Sequence, residues 1–156
     1  MTTQQQFHPG AFALQLTIDL SNEVERELTR LLGLHLTDFR ALSALSRLSP
    51  QGPVTVGRLA DQLGASPATT TAIVNRLEHS GYVERERTEQ DRRLVHVRVT
   101  SAGSRRVMAA MAPLMVAVSD HLWALPREDQ RAVLDFLGVV HDHLQAHIET
   151  MSAQEA

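Results

Sequence analysis

The sequence predicts a mainly α-helical protein with one small β-hairpin, and three observations support this fold class. Apolar residues recur every three or four positions over most of the 156-residue chain, which is the period of amphipathic helices. Between residues 82 and 100 the period changes to two, as in strands. Just before these strands, two short helical segments are separated by a break at Gly64, which is typical of a helix-turn-helix.

The first two helices are predicted at residues 11–32 and 38–48. Their apolar positions at helical spacing are Leu16, Leu20, Val24, Leu28, Phe39, Leu42, Leu45 and Leu48. Thr37 is the predicted N-cap of the second helix, because its hydroxyl can accept a hydrogen bond from an N–H group of the first turn. Residues 49–53 contain two prolines and a glycine and are expected to end this helix.

The helix-turn-helix begins with a short helix at residues 56–63, opened by Thr55. Gly64 permits the tight turn that follows. Ser66 and Pro67 then stand in the order of N-cap and first helical residue that favours the start of a second helix.

The outward face of this second helix, which ends near residue 79, suits contact with double-stranded DNA. Its side chains are Ala68, Thr69, Thr71, Ala72, Asn75 and Arg76. Hydroxyl and methyl groups can meet base edges, while Asn and Arg suit adenine and guanine respectively. The helix start at Ser66 and Pro67 offers free backbone N–H groups to a phosphate. Thr70 is a departure, because an apolar residue is usual at its inward position.

The strands at residues 82–87 and 94–100 form a wing on this helix-turn-helix. Three valines of the second strand alternate toward the core: Val95, Val97 and Val99. The tip contains Asp91, Arg92 and Arg93, and an arginine there can enter a narrow minor groove. Asp91 can pair with Arg93 and fix the direction of its guanidinium. Other charged residues predicted along the ribbon are Arg85, Arg87 and Arg98, with Glu84 and Glu86 offsetting part of their charge.

Two long helices complete the pattern, separated by Leu125-Pro126. The first starts at Ser101 and contains Pro113, which is expected to kink it. The second covers residues 127–151 and has an apolar seam of Val133, Leu137, Val140, Leu144, Ile148 and Met151. Because the first and last helices of the chain are long and amphipathic, they need a common partner surface.

The overall charge conceals a basic centre. The formal net charge is -3 and the pI is near 6.2, which gives no global sign of a nucleic-acid binder. Residues 55–106 nevertheless carry nine Arg against six acids, whereas residues 1–54 and 107–156 are net acidic. The basic segment coincides with the helix-turn-helix and wing.

Several classes of function are disfavoured by what the sequence lacks. With no cysteine, disulfides, cysteine-ligated metals and thiol switches are excluded. There is no Gly-x-Ser-x-Gly, phosphate loop or His-Glu-x-x-His, so an enzyme is not expected and no cofactor is predicted. There is neither a signal-peptide pattern nor a run of ~18 apolar residues, so a cytoplasmic protein without a membrane partner is expected.

Three separated clusters resemble the MarR family of bacterial transcription regulators. They are Leu-Glu-His-Ser-Gly-Tyr-Val at residues 77–83, Asp91-Arg92-Arg93, and Thr-Ser-Ala-Gly at residues 100–103. The helical segments on either side also resemble the family, so the likeness covers nearly the whole chain.

The resemblance implies a single domain that forms a homodimer through intertwined helices. The helical dimerisation region would comprise residues 11–34 and 104–151, and the winged helix-turn-helix lobe residues 37–100. DNA contacts are implied for residues 66–76 and for Arg93, held by Asp91. The implied function is a sequence-specific repressor that binds a pseudo-palindromic operator and is released by a small, often aromatic or anionic, effector.

The resemblance also implies a site for the effector. The resemblance places it in the crevice between the dimer helices and the lobe, and we expect His35, Phe39 and Arg40 to line it. A metal-responsive regulator is an alternative, because His143 and His147 have the i, i+4 spacing of zinc ligands. Two further histidines are His121 and His141. A winged-helix protein-interaction module is a second alternative, and it would show no loss of DNA binding on Arg93→Ala.

Overall fold

The computed structural model describes residues 7–87 and 95–154. Its elements are α1 (Pro9–Leu32), α2 (Leu36–Leu48), a 3-10 turn (Ser49–Gln51), α3 (Val56–Leu63), α4 (Pro67–His79), β1 (Val83–Arg87), β2 (Val95–Val99), α5 (Ser101–Ala124) and α6 (Arg127–Gln154). The predicted fold class, mainly helical with one hairpin, is confirmed. The chain divides into two compact units, Met1–Met111 and Ala112–Ala156.

The turn between α3 and α4 forms from the residues that predicted it. The Thr55 side chain accepts a hydrogen bond from the backbone N–H of Arg58, which caps α3. Gly64 ends α3 in the left-handed region, with a φ of 59° that favours glycine. Ser66 then caps α4 by accepting from the N–H of Thr69 at 3.1 Å.

The predicted start of α2 is wrong. The N-cap is His35 rather than Thr37, and the helix begins at Leu36. The His35 carbonyl already accepts hydrogen bonds from the N–H groups of Asp38 and Phe39, both at 3.0 Å. Thr37 therefore lies within the first turn and has no capping role.

The core of the first unit is formed by α2, α3, α4 and the hairpin. Its largest fully buried side chains are Tyr82, Leu45, Leu59, Leu77, Val74, Val83, Val97 and Thr70. On α2 the predicted buried face is shifted: Asp38 is buried, whereas Phe39 is only partly buried. A carboxylate in this position needs an internal partner.

The hairpin is fixed on this core by its register. In the antiparallel pairing, Val83 lies opposite Val99 and Arg85 lies opposite Val97. The N–H of Val97 also donates to the Val54 carbonyl at 2.8 Å. The predicted tip residues Asp91, Arg92 and Arg93 lie outside the described residues.

Tyr82 joins the ends of α1, β1 and α5. Its hydroxyl donates to the Leu32 carbonyl at 2.9 Å, which satisfies a carbonyl at the end of α1. The Thr100 hydroxyl donates to the Gly81 carbonyl at 2.7 Å and accepts from the N–H of Gly103 at 2.9 Å. Two of the three sequence clusters therefore form one structural junction.

Apolar side chains are exposed on the three long helices. On α1, Phe12, Leu16 and Leu20 are each more than 60% exposed. In the second unit the exposed side chains include Leu114, Met115, Val118, Trp123, Leu134, Leu137, Leu144 and Ile148.

Of the described helices, α5 alone is long and apolar enough to span a membrane, with a mean hydropathy of 1.4 over an 18-residue window. Pro113 lies inside α5 without ending it.

Candidate nucleic-acid interface

The two faces of α4 differ in the way that the sequence predicted. Thr70, Ile73, Val74 and Leu77 are buried. The residues predicted to face outward are all exposed: Ala68, Thr69, Thr71, Ala72, Asn75 and Arg76. Ser66 and Pro67, at the start of the helix, are exposed as well. One side of α4 therefore presents small and polar groups, while the other is held by the core.

The start of α4 offers fewer free amides than the sequence suggested. Pro67 has no N–H group, and the N–H of Thr69 is capped by Ser66. Within the described residues, Ala68 supplies the remaining amide donor of this first turn. The Ser66 and Thr69 hydroxyls lie 2.9 Å apart, so they form a paired hydroxyl surface beside it.

The unexpected threonine on the inward face has an internal partner. Thr70 is fully buried, and its hydroxyl donates to the Ser66 carbonyl one turn earlier at 3.0 Å. Burying this hydroxyl leaves no unsatisfied donor, so the departure from an apolar residue is compatible with a packed core.

Arg76 is held by the buried carboxylate of α2. Its Nε donates to Asp38 Oδ2 at 3.1 Å and its Nη2 donates to Asp38 Oδ1 at 2.5 Å. Asp38 is only 2% exposed, whereas the Arg76 side chain is about half exposed. Hydrogen bonding to Asp38 raises the pKa of the Arg76 guanidinium above its ordinary value. Arg76 therefore links α4 to α2, and its contact with guanine stays a prediction.

Arg85 and Arg98 are also engaged within the protein. Arg85 forms an ion pair with Glu78 and donates to Asn75 Oδ1 at 2.6 Å. Arg98 pairs with Glu84 at 3.0 Å and with Glu86 at 3.2 Å. The positive charges of Arg76, Arg85 and Arg98 are therefore each offset by an acidic side chain. Arg87 lies at the end of β1, opposite Val95 in register.

The three predicted effector residues do not share a cavity. Phe39 borders a cavity of about 350 Å³ between α2 and the start of α5, whose wall also contains Leu42, Ser43, Arg47, Val107 and Met108. His35 borders a different cavity of about 330 Å³. Arg40 donates to Glu25 on α1, with distances of 3.1 and 3.2 Å, and this hydrogen bonding raises its pKa.

The described residues contain no cluster of three or more histidine, aspartate or glutamate side chains arranged to hold a metal ion. His143 and His147 lie one turn apart on α6 and are exposed, as are His121 and His141. The i, i+4 spacing of His143 and His147 thus supplies two ligands, and the described residues place no third ligand beside them.

Sequence reasoning missed Asp38 and Arg47. A signal for Asp38 was present, because it precedes Leu42 and Leu45 at helical spacing and so lies on the apolar stripe of α2. A carboxylate on such a stripe requires a cation, but its position cannot identify Arg76, 38 residues away, as the partner. Arg47 gave no signal, because its place in the wall of the cavity beside Phe39 depends on the approach of α5.

Known proteins resemble this chain in both sequence and fold. The profile of the MarR family matches residues 39–95. The uncharacterized HTH-type transcriptional regulator YcgE of Bacillus subtilis is 31% identical over 120 residues, which cover 77% of this chain and 76% of YcgE.

Two solved structures share the fold. A MepR mutant from S. aureus has a TM-score of 0.68 and 16% identity, covering 90% of this chain and 99% of MepR. Streptococcus pneumoniae FabT in complex with DNA has a TM-score of 0.60 and 23% identity, covering 89% of this chain and 99% of FabT. The family profile and the YcgE match together show that the chain belongs to the MarR family of transcriptional regulators.

Proposed function

We propose that this regulator is a cytoplasmic homodimeric repressor, which binds a specific operator in double-stranded DNA and is released by a small anionic effector. The exposed face of α4 is the observation that carries DNA binding. It presents small and hydroxyl-bearing side chains along a helix whose opposite face is buried. Such a face fits a groove and base edges better than it fits the apolar surface of another protein. The DNA in the FabT structure supports the same interpretation.

The homodimer is proposed to explain the exposed apolar side chains of the long helices. Trp123 is 77% exposed and Leu134 is 64% exposed, and similar exposure recurs along α1 and α6. Large apolar side chains exposed repeatedly along each of these helices mark an interaction site in a soluble protein. A second copy is favoured over a lipid bilayer for α5, because Asp120 is costly in a hydrocarbon core.

Binding to the DNA upstream of its own gene is expected to weaken steeply with salt, because arginines that contact phosphates release counterions. Arg93→Ala is expected to remove most of the affinity and to reduce the salt slope by about 1 per chain. Fluorescence anisotropy across a salt series measures both quantities. Sedimentation of the complex is expected to give two chains per operator.

Arg98→Met is the matched control in the same hairpin, because Glu84 and Glu86 already engage Arg98. It is expected to leave the salt slope unchanged. Equal affinity for a scrambled duplex would refute specific binding. Weak binding that does not depend on sequence and that Arg93→Ala leaves unchanged would instead favour the protein-interaction module.

The cavity bordered by Phe39 is the proposed effector site. Phe39, Leu42 and Met108 supply apolar surface, and Arg47 supplies a cation. An aromatic carboxylate satisfies both features. Such a ligand shifts the protein away from its DNA-binding form only by binding the other form more tightly.

Benzoate is expected to lower operator affinity of the wild type by about fivefold or more, a typical allosteric coupling. Arg47→Met should remove this response, and Arg47→Lys, which keeps the charge, should retain part of it. Operator titrations with and without benzoate provide the measurement. Equal responses in the wild type and Arg47→Met would exclude Arg47 from the site.

A further inference from the structure

Asn75 and Arg85 form a contact that bears on how α4 reads DNA. Asn75 is exposed on the outward face of α4, and its Oδ1 accepts from Arg85 Nη2 at 2.6 Å. The other side of the Arg85 guanidinium pairs with Glu78, one turn further along α4. Arg85 therefore bridges two residues of α4 from strand β1.

The chemistry of the guanidinium fixes which end of the Asn75 amide faces it. A guanidinium has five N–H donors and no acceptor, so only the amide oxygen can face Arg85. The two N–H donors of Asn75 consequently point away from Arg85. Rotating the amide would place N–H groups against N–H groups and lose the hydrogen bond.

Arg85 is in turn held in place by the hairpin. It lies opposite the buried Val97 in the strand register, and its side chain is only 25% exposed. Glu78 holds the second edge of the guanidinium through a single charge-assisted hydrogen bond from Nη1 to its Oε2. The orientation of the Asn75 amide is thus set before any DNA arrives.

We propose that Arg85 is a positioning residue that makes Asn75 a hydrogen-bond donor toward the base it meets, with a preference for guanine over adenine. This inference rests on the proposed operator binding by α4. Paired recognition of adenine requires Asn to donate to N7 and to accept from N6 at the same time. Arg85 already occupies one lone pair of Oδ1 and so competes with adenine N6 for this acceptor, whereas guanine presents two acceptors, O6 and N7, to the free N–H groups.

Site selection from a randomised duplex library tests the proposal, with competition titrations at the selected position. The wild type is expected to prefer guanine over adenine by about tenfold at one position of each half-site. Asn75→Ala should abolish the preference at that position only. Arg85→Met frees Oδ1 and should raise the relative affinity for adenine by severalfold.

Asn75→Asp removes the two N–H donors but keeps the contact with Arg85, because a carboxylate can still accept from the guanidinium. It therefore tests the donors of Asn75 separately from the role of Arg85. It should eliminate the guanine preference. Arg98→Met is the matched control, since it removes a hairpin arginine that contacts Glu84 and Glu86 rather than Asn75. It should leave the guanine-to-adenine ratio unchanged, and circular dichroism melts establish that each variant is folded.

Four outcomes overturn the inference. An unchanged guanine-to-adenine ratio in Asn75→Asp shows that Asn75 does not read this base. An unchanged ratio in folded Arg85→Met shows that Arg85 does not position the amide. Uniform weakening across all positions in Asn75→Ala shows that the donors meet phosphate instead of a base. If the wild type selects no sequence, operator binding itself is refuted and the inference falls with it.

Discussion

Gly103→Ala is expected to lower the free energy of unfolding by about 2–3 kcal/mol, the upper part of the range for overpacking a core. A Cβ at position 103 would lie 2.6 Å from the Tyr82 carbonyl oxygen and 2.8 Å from the Tyr82 Cα. Both atoms belong to backbone, so no side-chain rotation can relieve the clash. The better helix propensity of alanine, about 1 kcal/mol, offsets only part of the cost. Urea denaturation at one fixed chain concentration measures the change.

Gly57→Ala is the matched control. Gly57 is also helical, but the nearest atom to its added Cβ is the Thr55 hydroxyl at 3.8 Å, which is ordinary contact. This variant is expected to be neutral or more stable by up to about 1 kcal/mol. Equal stability of the two alanine variants would contradict the close approach of α5 to Tyr82.

Arg76→Met is expected to lower the free energy of unfolding by about 3 kcal/mol, because it leaves the buried Asp38 carboxylate without its cation. This is at the low end for a broken buried pair, since the guanidinium is half exposed and water weakens the interaction. Thermal and urea unfolding give the stability. At temperatures where the variant is folded, the salt slope of operator binding should equal that of the wild type.

A double-substitution cycle separates the pair from its surroundings. Arg76→Met with Asp38→Leu removes both charges, and it should recover most of the lost stability because an apolar pair can replace a buried ion pair. Arg26→Met, on an exposed arginine of α1, should change stability by less than about 1 kcal/mol. An Arg76→Met protein as stable as this control would show that Arg76 is not structural.

Local chemistry explains why most elements could be predicted from the sequence. The caps at Thr55 and Ser66 and the left-handed turn at Gly64 depend on neighbouring residues, so α3 and α4 were placed correctly. The start of α2 was placed incorrectly. His35 forms no side-chain cap, and only its extended backbone defines the boundary of the helix. No residue preference signals such a start.

The state of the candidate site residues depended on contacts between distant segments. The predicted outward position of Arg76 on α4 is correct. Its ion pair with Asp38 could not be predicted, because it forms only when α2 and α4 pack together. The donor orientation of Asn75 likewise requires β1 to return alongside α4. Counting charges along the sequence cannot show which arginines are already paired. The wing residues Asp91, Arg92 and Arg93 stay predictions.

Tyr82 connects α1 and α5 to the base of the wing. Its hydroxyl is bound to the end of α1, its backbone is in contact with Gly103 of α5, and its ring lies 4.2 Å from the Arg106 guanidinium. Because β1 begins at the next residue, the base of the wing is attached to the same point. A change in the position of the end of α1 or of the first turn of α5 would therefore act on the base of the hairpin through this one residue.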